Sequence, residues 1–111
     1  MASVNKAILV GHVGKDPDIR ATSSGDTVAS FSLATNTGYG ENKTTDWHSV
    51  SVFGKSADFV RNYVKKGAQV YVEGSIRNRS YVDKGGNKKY VTEIKAFTVQ
   101  ALGQKEPSPQ Q

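Results

Sequence analysis

One helical pattern interrupts a chain whose other segments have the composition of β-strands. Between residues 56 and 66, apolar side chains recur at the spacing of one helix face, and they are Phe59, Val60, Tyr63 and Val64. Ser56 is suited to cap the start of this helix, and Gly67 to end it in a left-handed conformation. The segment therefore predicts the one helix of the chain.

Five other segments predict strands, because β-branched and small residues dominate them without helical spacing. They are residues 4–13, 27–35, 47–53, 69–81 and 90–102. The last two flank Asp83-Lys84-Gly85-Gly86-Asn87, a sequence typical of a hairpin loop. A helix between the third and fourth strands, with a long hairpin between the fourth and fifth, is the order of a five-stranded antiparallel OB-fold barrel. We therefore expect an all-β fold with one helix.

The length of 111 residues suits one domain, which we place at residues 1–102. Residues 103–111 are polar and contain two prolines, so a disordered C-terminal tail is expected there. With no cysteine, the chain has no disulfide or thiolate metal site. Neither a signal peptide nor a membrane-length apolar run is present in the sequence. These features predict a cytoplasmic protein.

Positive charge is concentrated in the second half of the chain. Residues 1–52 carry four basic and five acidic side chains, whereas residues 53–111 carry eleven and five. An excess of this kind is either a solvated basic surface or a binding surface for a polyanion. Charge alone does not distinguish a nucleic-acid ligand from a membrane surface, so the placement of the aromatic residues is needed to distinguish them.

The third predicted strand places two large aromatics on one face. Because side chains alternate in a strand, Val50 and Val52 point to one side, and Trp47 and Phe53 point to the other, with two serines between them. Aromatics on an otherwise polar face suit the stacking of unpaired bases. The alternative is that the two rings cap the ends of the barrel core.

The long hairpin and one loop carry further candidates of the same kind. Arg77, Arg79 and Tyr81 alternate onto one face, and three lysines follow at the tip and on the return strand, Lys84, Lys88 and Lys89. This pattern favours phosphate contacts combined with stacking, although a solvated hairpin would also show it. Tyr39, between two glycines and near Lys43, fits a second flexible arm or an ordinary loop tyrosine.

Motifs for catalysis and for metal binding are incomplete. Gly54-Lys55-Ser56 lies between a strand and the helix, but a phosphate-binding loop needs glycine where Ser49 stands. Two histidines without cysteine are too few for a zinc site, and no carboxylate pair is placed for acid–base chemistry. The sequence predicts no enzyme, no cofactor and no metal.

The motifs together resemble those of bacterial single-stranded DNA-binding proteins. The resemblance runs from about Val4 to Ala101, and the segments that carry it are Val4-Asn5-Lys6, Gly14-Lys15-Asp16-Pro17, Trp47-His48, Phe53-Gly54-Lys55, Lys66-Gly67, Val70-Tyr71-Val72-Glu73-Gly74, Tyr81-Val82-Asp83 and Thr92-Glu93. It implies an OB-fold homotetramer that binds and protects single-stranded DNA in replication, repair and recombination. It also implies that the protein is of bacterial, plasmid or phage origin and is located at the nucleoid.

The resemblance also implies roles for individual residues. Bases would stack on Tyr39, Trp47, Phe53 and Tyr81. The DNA backbone would contact Lys55, Lys66, Arg77, Arg79 and Lys89. The first strand, at Val4, Asn5 and Lys6, would pair across a dimer axis, and His48, Gln69 and Tyr71 would lie at subunit interfaces.

The sequence departs from that family at its C-terminus. Relatives usually end in an acidic, aromatic-tipped peptide that recruits replication and repair proteins, whereas Glu106 is the only acidic residue here after Glu93. Tail-mediated partners are therefore not expected of this chain, whether it is shortened or a compact specialised form. Three rival functions stay open from the residues alone: a dimeric adaptor for replication restart, an RNA- or saccharide-binding OB-fold, and an OB-fold nuclease.

Overall fold

The computed structural model describes residues 2–102, so the tail expected at residues 103–111 lies outside the described residues. Within that range six strands and one α-helix follow one another. They are β1 (Ala7–Val13), β2 (Asp18–Ala21), β3 (Thr27–Thr37), β4 (Thr44–Phe53), α1 (Lys55–Tyr63), β5 (Gln69–Val82) and β6 (Lys88–Ala101), with a 3₁₀ turn at Gly40–Asn42. No helix of this described part is long and apolar enough to cross a membrane.

Five of the strands form a closed ring. The order is β1-β5-β6-β4-β3, and β3 returns to β1 through the pairs His12–Ala34 and Val13–Leu33. The pairings are antiparallel except for β4 with β6, which run parallel from Val50–Ile94 to Val52–Ala96. The predicted five-stranded barrel, with its helix and its long hairpin in the expected places, is confirmed. The parallel pairing is an addition to the predicted antiparallel set.

Strand boundaries differ from the predicted ones mainly around β2. This four-residue strand pairs with β3 from Asp18–Ser30 to Ala21–Thr27. It was missed because Ile19 is its one large apolar residue, and that side chain is half-buried against the core. The strands β3 and β4 are also longer than predicted, since their polar ends pair with each other as far as Thr37–Thr44.

Alternating side chains of the ring fill a small apolar core. Every second residue of the barrel strands points inward, and the largest of these fully buried side chains are Leu33, Val50, Val52, Val70 and Val72, joined by Val60 of the helix. No polar or charged side chain is buried in residues 2–102. The core therefore rests on apolar burial, which stabilises by about 25 cal/mol for each Å² removed from water.

The helix contributes to the core, but its ends differ from the predicted ones. Gly54 adopts φ 69° and precedes the first turn, and no side chain caps it. Ser56 is therefore not the cap, and its hydroxyl donates instead to the carbonyl of Phe97, 3.3 Å away. The helix ends at Tyr63, and Gly67 serves the next turn, where its N–H donates to the Val13 carbonyl. The tyrosine is 68% exposed, so it is not part of the predicted buried stripe.

A register shift in the β5–β6 pair lies within the barrel, because Ile94 and Ala96 on the hairpin side of it are buried and pair with β4. Glu73 pairs with Thr98 whereas Gly74 pairs with Ala96, which leaves Phe97 as the extra residue of a bulge. A Cβ on Gly74 would lie only 2.7 Å from the Ala96 Cα, so glycine is required for this close approach. Past the Ile76–Ile94 pair, the two strands run on as an exposed hairpin to their loop.

Candidate nucleic-acid interface

The outward face of β4 is the first component of the site. Trp47 is 61% exposed and Phe53 45% exposed, whereas Val50 and Val52 lie in the core. The two aromatics are therefore not caps of the barrel interior. Six residues separate them along the strand, which corresponds to about 20 Å. The face presents two apolar rings to solvent with serine between them.

The indole of Trp47 is supported from below by the end of β1. A Cβ on Gly14 would lie 2.5 Å from the indole Cζ3 atom, so only glycine leaves room for the ring. The backbone N–H of Gly14 in turn donates to the Ser32 carbonyl, which fixes this segment to β3. One part of the ring therefore rests on rigid backbone, and the rest is open to a ligand.

Three cationic side chains, Arg77, Arg79 and Lys95, line a groove beside Phe53. Lys95 lies opposite Ser51 in the parallel pair, and its Nζ is 5.1 Å from the centre of the Phe53 ring. The groove of about 160 Å³ beside the ring is lined by Ser51, Phe53, Arg77, Asn78, Arg79, Glu93 and Lys95. Lys95 was not among the residues predicted from the sequence. Its position between Ile94 and Ala96, which strand alternation places in the core, could have indicated that it faces outward.

Glu93 is the one carboxylate that lines this groove, and it holds one of the cations. The Arg79 Nε donates to its Oε1 atom at 3.0 Å, which fixes the guanidinium beside the groove. Arg77 pairs with Glu93 in the strand register. A nucleotide entering this groove would meet an exposed aromatic ring and three cations, the combination that favours binding of single strands.

The exposed hairpin, residues 76–95, starts at the buried Ile94 at its base and continues this surface away from the barrel. Tyr81 is 45% exposed and pairs with Lys89 in the register. Lys84 in the loop and Lys88 at the start of β6 are also exposed. Asp83 stabilises the loop, since its Oδ1 accepts hydrogen bonds from the backbone N–H groups of Gly85 and Asn87, both at 2.9 Å. The carboxylate of Asp83 is thereby used in shaping the tip.

Two predicted residues lie in the loop between β3 and β4, and a third lies at the start of the helix. Tyr39 is 92% exposed and precedes the 3₁₀ turn, and Lys43 follows that turn directly before β4. Lys55 begins α1, two residues after Phe53. The structure describes no contact between Tyr39 and the Phe53 groove.

Lys66 lies in the loop between α1 and β5. Its backbone N–H donates to the Asp16 Oδ1 at 2.9 Å, which places it near the segment that supports Trp47. No three His, Asp or Glu side chains in residues 2–102 group in a way that would hold a metal ion.

Comparison with known proteins decides the family. A family model described as the single-strand binding protein family matches residues 4–102. This chain belongs to the single-strand binding protein family. The resemblance inferred from the sequence motifs is thereby confirmed.

Individual proteins that are similar to this chain agree with that assignment. Single-stranded DNA-binding protein 1 of Xylella fastidiosa (strain 9a5c) is 47% identical over 113 residues, which cover 96% of this chain and 82% of that protein. A protein of the same name from Chlorobaculum tepidum is 45% identical over 109 residues, covering 93% and 67%. A solved structure described as Plasmodium falciparum SSB in complex with ssDNA superposes with a TM-score of 0.85 at 36% identity, covering 93% of this chain and 98% of that one.

This member of the family has a second exposed surface, the outer face of β1 and β5. Ile8 is 56% exposed and lies opposite Glu73, and Val10 is 46% exposed and lies opposite Tyr71. Gln69 is exposed at the end of the same face. Tyr71 and Gln69 were predicted at an interface from the sequence. Ile8 and Val10 were not, although strand alternation could have indicated that they lie on the same face.

Asn5 and His48, which were also predicted at subunit interfaces, have partners within the chain. The Asn5 side chain pairs with the backbone of Ile76 through two hydrogen bonds of 2.8 and 2.9 Å, and so extends the pairing of β1 with β5. The His48 Nε2 lies 2.9 Å from the Thr35 hydroxyl. Val4 is 93% exposed. These contacts do not test whether the residues also meet a second copy.

A charged triad lies on the outer face of β1 and β5. The Lys6 Nζ is 2.6 Å from one oxygen of Glu73, and the Tyr71 hydroxyl donates to the other at 3.0 Å. The hydrogen bond and the charge of Glu73 raise the pKa of Lys6, and the hydrogen bonds from Lys6 and Tyr71 lower the pKa of Glu73. The pKa of Tyr71 is raised, chiefly because its hydroxyl donates to Glu73.

Replacing Glu73 tests this triad. Because the folded-state pKa of Glu73 lies below its ordinary 4.5, its stabilisation is present above that pH and is lost as the pH falls through the folded pKa. The wild type should therefore have a higher urea midpoint than Glu73→Gln at neutral pH, and the difference should shrink below pH 4.5. A difference that stays constant from roughly pH 7 to pH 3 would contradict this account.

Proposed function

We propose that this chain binds and protects single-stranded DNA without sequence preference, as part of replication, repair and recombination. The observation that carries the proposal is the groove in which Phe53 is exposed between Arg77, Arg79 and Lys95. Stacking accepts any base, because every base has an aromatic face, and cations recognise the phosphate that every nucleotide carries. The names of the relatives and the solved complex with ssDNA support it.

The proposed path of the strand follows the order of the aromatics. It passes Tyr39 and Trp47, follows β4 to Phe53, and continues onto the hairpin at Tyr81. The cations proposed for the phosphates are Lys43, Lys55, Lys66, Arg77, Arg79, Lys84, Lys88 and Lys89, to which the structure adds Lys95. The role is binding rather than catalysis, and its place is the cytoplasm, at the nucleoid, where unpaired bacterial, plasmid or phage DNA arises.

Two variants separate the two components of this mechanism. Phe53→Ala removes a stacking surface, so the affinity for oligo-dT should fall by roughly 5- to 150-fold at every salt concentration, corresponding to about 1–3 kcal/mol. Arg77→Gln removes one phosphate contact, so the slope of log affinity against log salt should become shallower by about 0.7. Fluorescence anisotropy of labelled oligo-dT measures both quantities.

Tyr63→Ala is the matched control, because it also removes an exposed ring, on α1, that lies outside the proposed path. It should bind like the wild type. If Phe53→Ala bound no more weakly than this control, base stacking at the groove would be excluded. An unchanged salt slope in Arg77→Gln would remove that residue from the phosphate contacts.

We propose further that the functional form is a homotetramer, which Val4, Asn5, Lys6, His48, Gln69 and Tyr71 help to assemble. The exposed apolar residues Ile8 and Val10 support this, because association would bury them. Sedimentation equilibrium should give four times the chain mass of 12.0 kDa for the wild type and a smaller mass for Val10→Glu. A wild type that sediments as a single chain would overturn the proposal.

A further inference from the structure

The exposed hairpin has two faces, and the proposed DNA path uses one of them. Paired residues on neighbouring strands point to the same side, so the front face, which carries Tyr81, also carries its partner Lys89. The opposite, back face carries the pair Ser80–Tyr90 and the pair Val82–Lys88. Thr92 and Asn78 belong to the same back face, where their side chains share a hydrogen bond of 2.7 Å.

Tyr90 is an exposed ring on this back face. It is 74% exposed, more than Trp47, Phe53 or Tyr81. The Lys88 Nζ lies 5.6 Å from the centre of its ring, within the range of a cation–π contact. Because the partner Ser80 is small, a shallow cavity of about 230 Å³ opens beside the ring, lined by Asn78, Arg79, Ser80 and Tyr90.

The charge of the hairpin indicates what fits this cavity. Residues 76–95 contain two carboxylates, Asp83 and Glu93, against six cations, Arg77, Arg79, Lys84, Lys88, Lys89 and Lys95. Asp83 is used within the loop and Glu93 holds Arg79. Of the six cations, Lys88 adjoins the Tyr90 ring and Arg79 lines its cavity. A nucleotide complements this arrangement, with its base on the ring and its phosphate at the cations.

We propose that Tyr90 is a further base-stacking position, with Lys88 at the adjoining phosphate, and that the single strand passes around the hairpin instead of along one face. Tyr90 pairs with Ser80, the neighbour of Tyr81, so the two rings lie at the same height on opposite faces. A strand that has stacked on Tyr81 reaches Tyr90 by crossing the edge of the hairpin. The inference rests on the proposed binding of single-stranded DNA.

The test compares three variants on oligo-dT of two lengths, about 5 and about 16 nucleotides, which span the range of site sizes of one OB-fold. Tyr90→Ala should bind the long oligomer roughly tenfold or more weakly, which is the loss of one stacked base, and should bind the short one like the wild type. Tyr90→Phe keeps the aromatic ring, so its affinity for both oligomers should equal that of the wild type. Val82→Ala, a truncation on the same exposed face, is the control for damage to the hairpin.

The outcomes separate this inference from the proposed function. If the wild type binds oligo-dT and Phe53→Ala weakens that binding, but Tyr90→Ala binds the long oligomer like the wild type, then Tyr90 is not a stacking position. The front face would then remain the binding surface. If Tyr90→Ala and Val82→Ala lost the same amount of affinity for the long oligomer, the role of Tyr90 would also be overturned, because the loss would then come from damage to the hairpin. A change of mass in solution for Tyr90→Ala with unchanged DNA affinity would reassign the face to contact between copies.

Discussion

The alternation of side chains along β4 is the constraint on which the candidate site depends. The barrel is small, and its core needs Val50 and Val52 to fill the interior. Because the strand alternates, filling the core with these valines forces Trp47 and Phe53 outward. The same residues that close the barrel therefore determine where its exposed rings stand.

The second component of the site comes from the point at which the core ends. The buried residues of β6 begin at Ile94, and past the Ile76–Ile94 pair towards the loop the two strands form a hairpin that contains no buried residue. Without a core to fill, these residues are free to be charged or aromatic. The base of the hairpin lies beside Phe53, where Lys95 and the two arginines meet the β4 face. Stacking surface and positive charge come together there because β4 and β6 are neighbours in the ring.

Structural features that depend on local sequence could be predicted from the sequence, whereas features that depend on which strands are neighbours in the barrel could not. The turn sequences and the strand composition gave the five main strands, the helix and the hairpin. The parallel β4–β6 pair was not predictable in this way, because nothing in either strand encodes its neighbour. The contact of Lys95 with Phe53 depends on that pairing, which explains why a residue 42 positions away was missed. The start of the helix was wrong by one residue because Gly54 makes the strand-to-helix turn and Ser56 bonds to β6 instead.

Trp47 is the sole tryptophan of the chain, so its fluorescence reports directly on whether bases stack on the β4 face. Its fluorescence should be followed during titration with oligo-dT and, separately, with duplex DNA, at low and at high salt. Stacking of a base on the exposed indole predicts strong quenching by the single strand, little by the duplex, and weaker binding as salt rises. Saturation with oligo-dT that leaves the fluorescence unchanged would contradict the claim that the β4 face holds the bases.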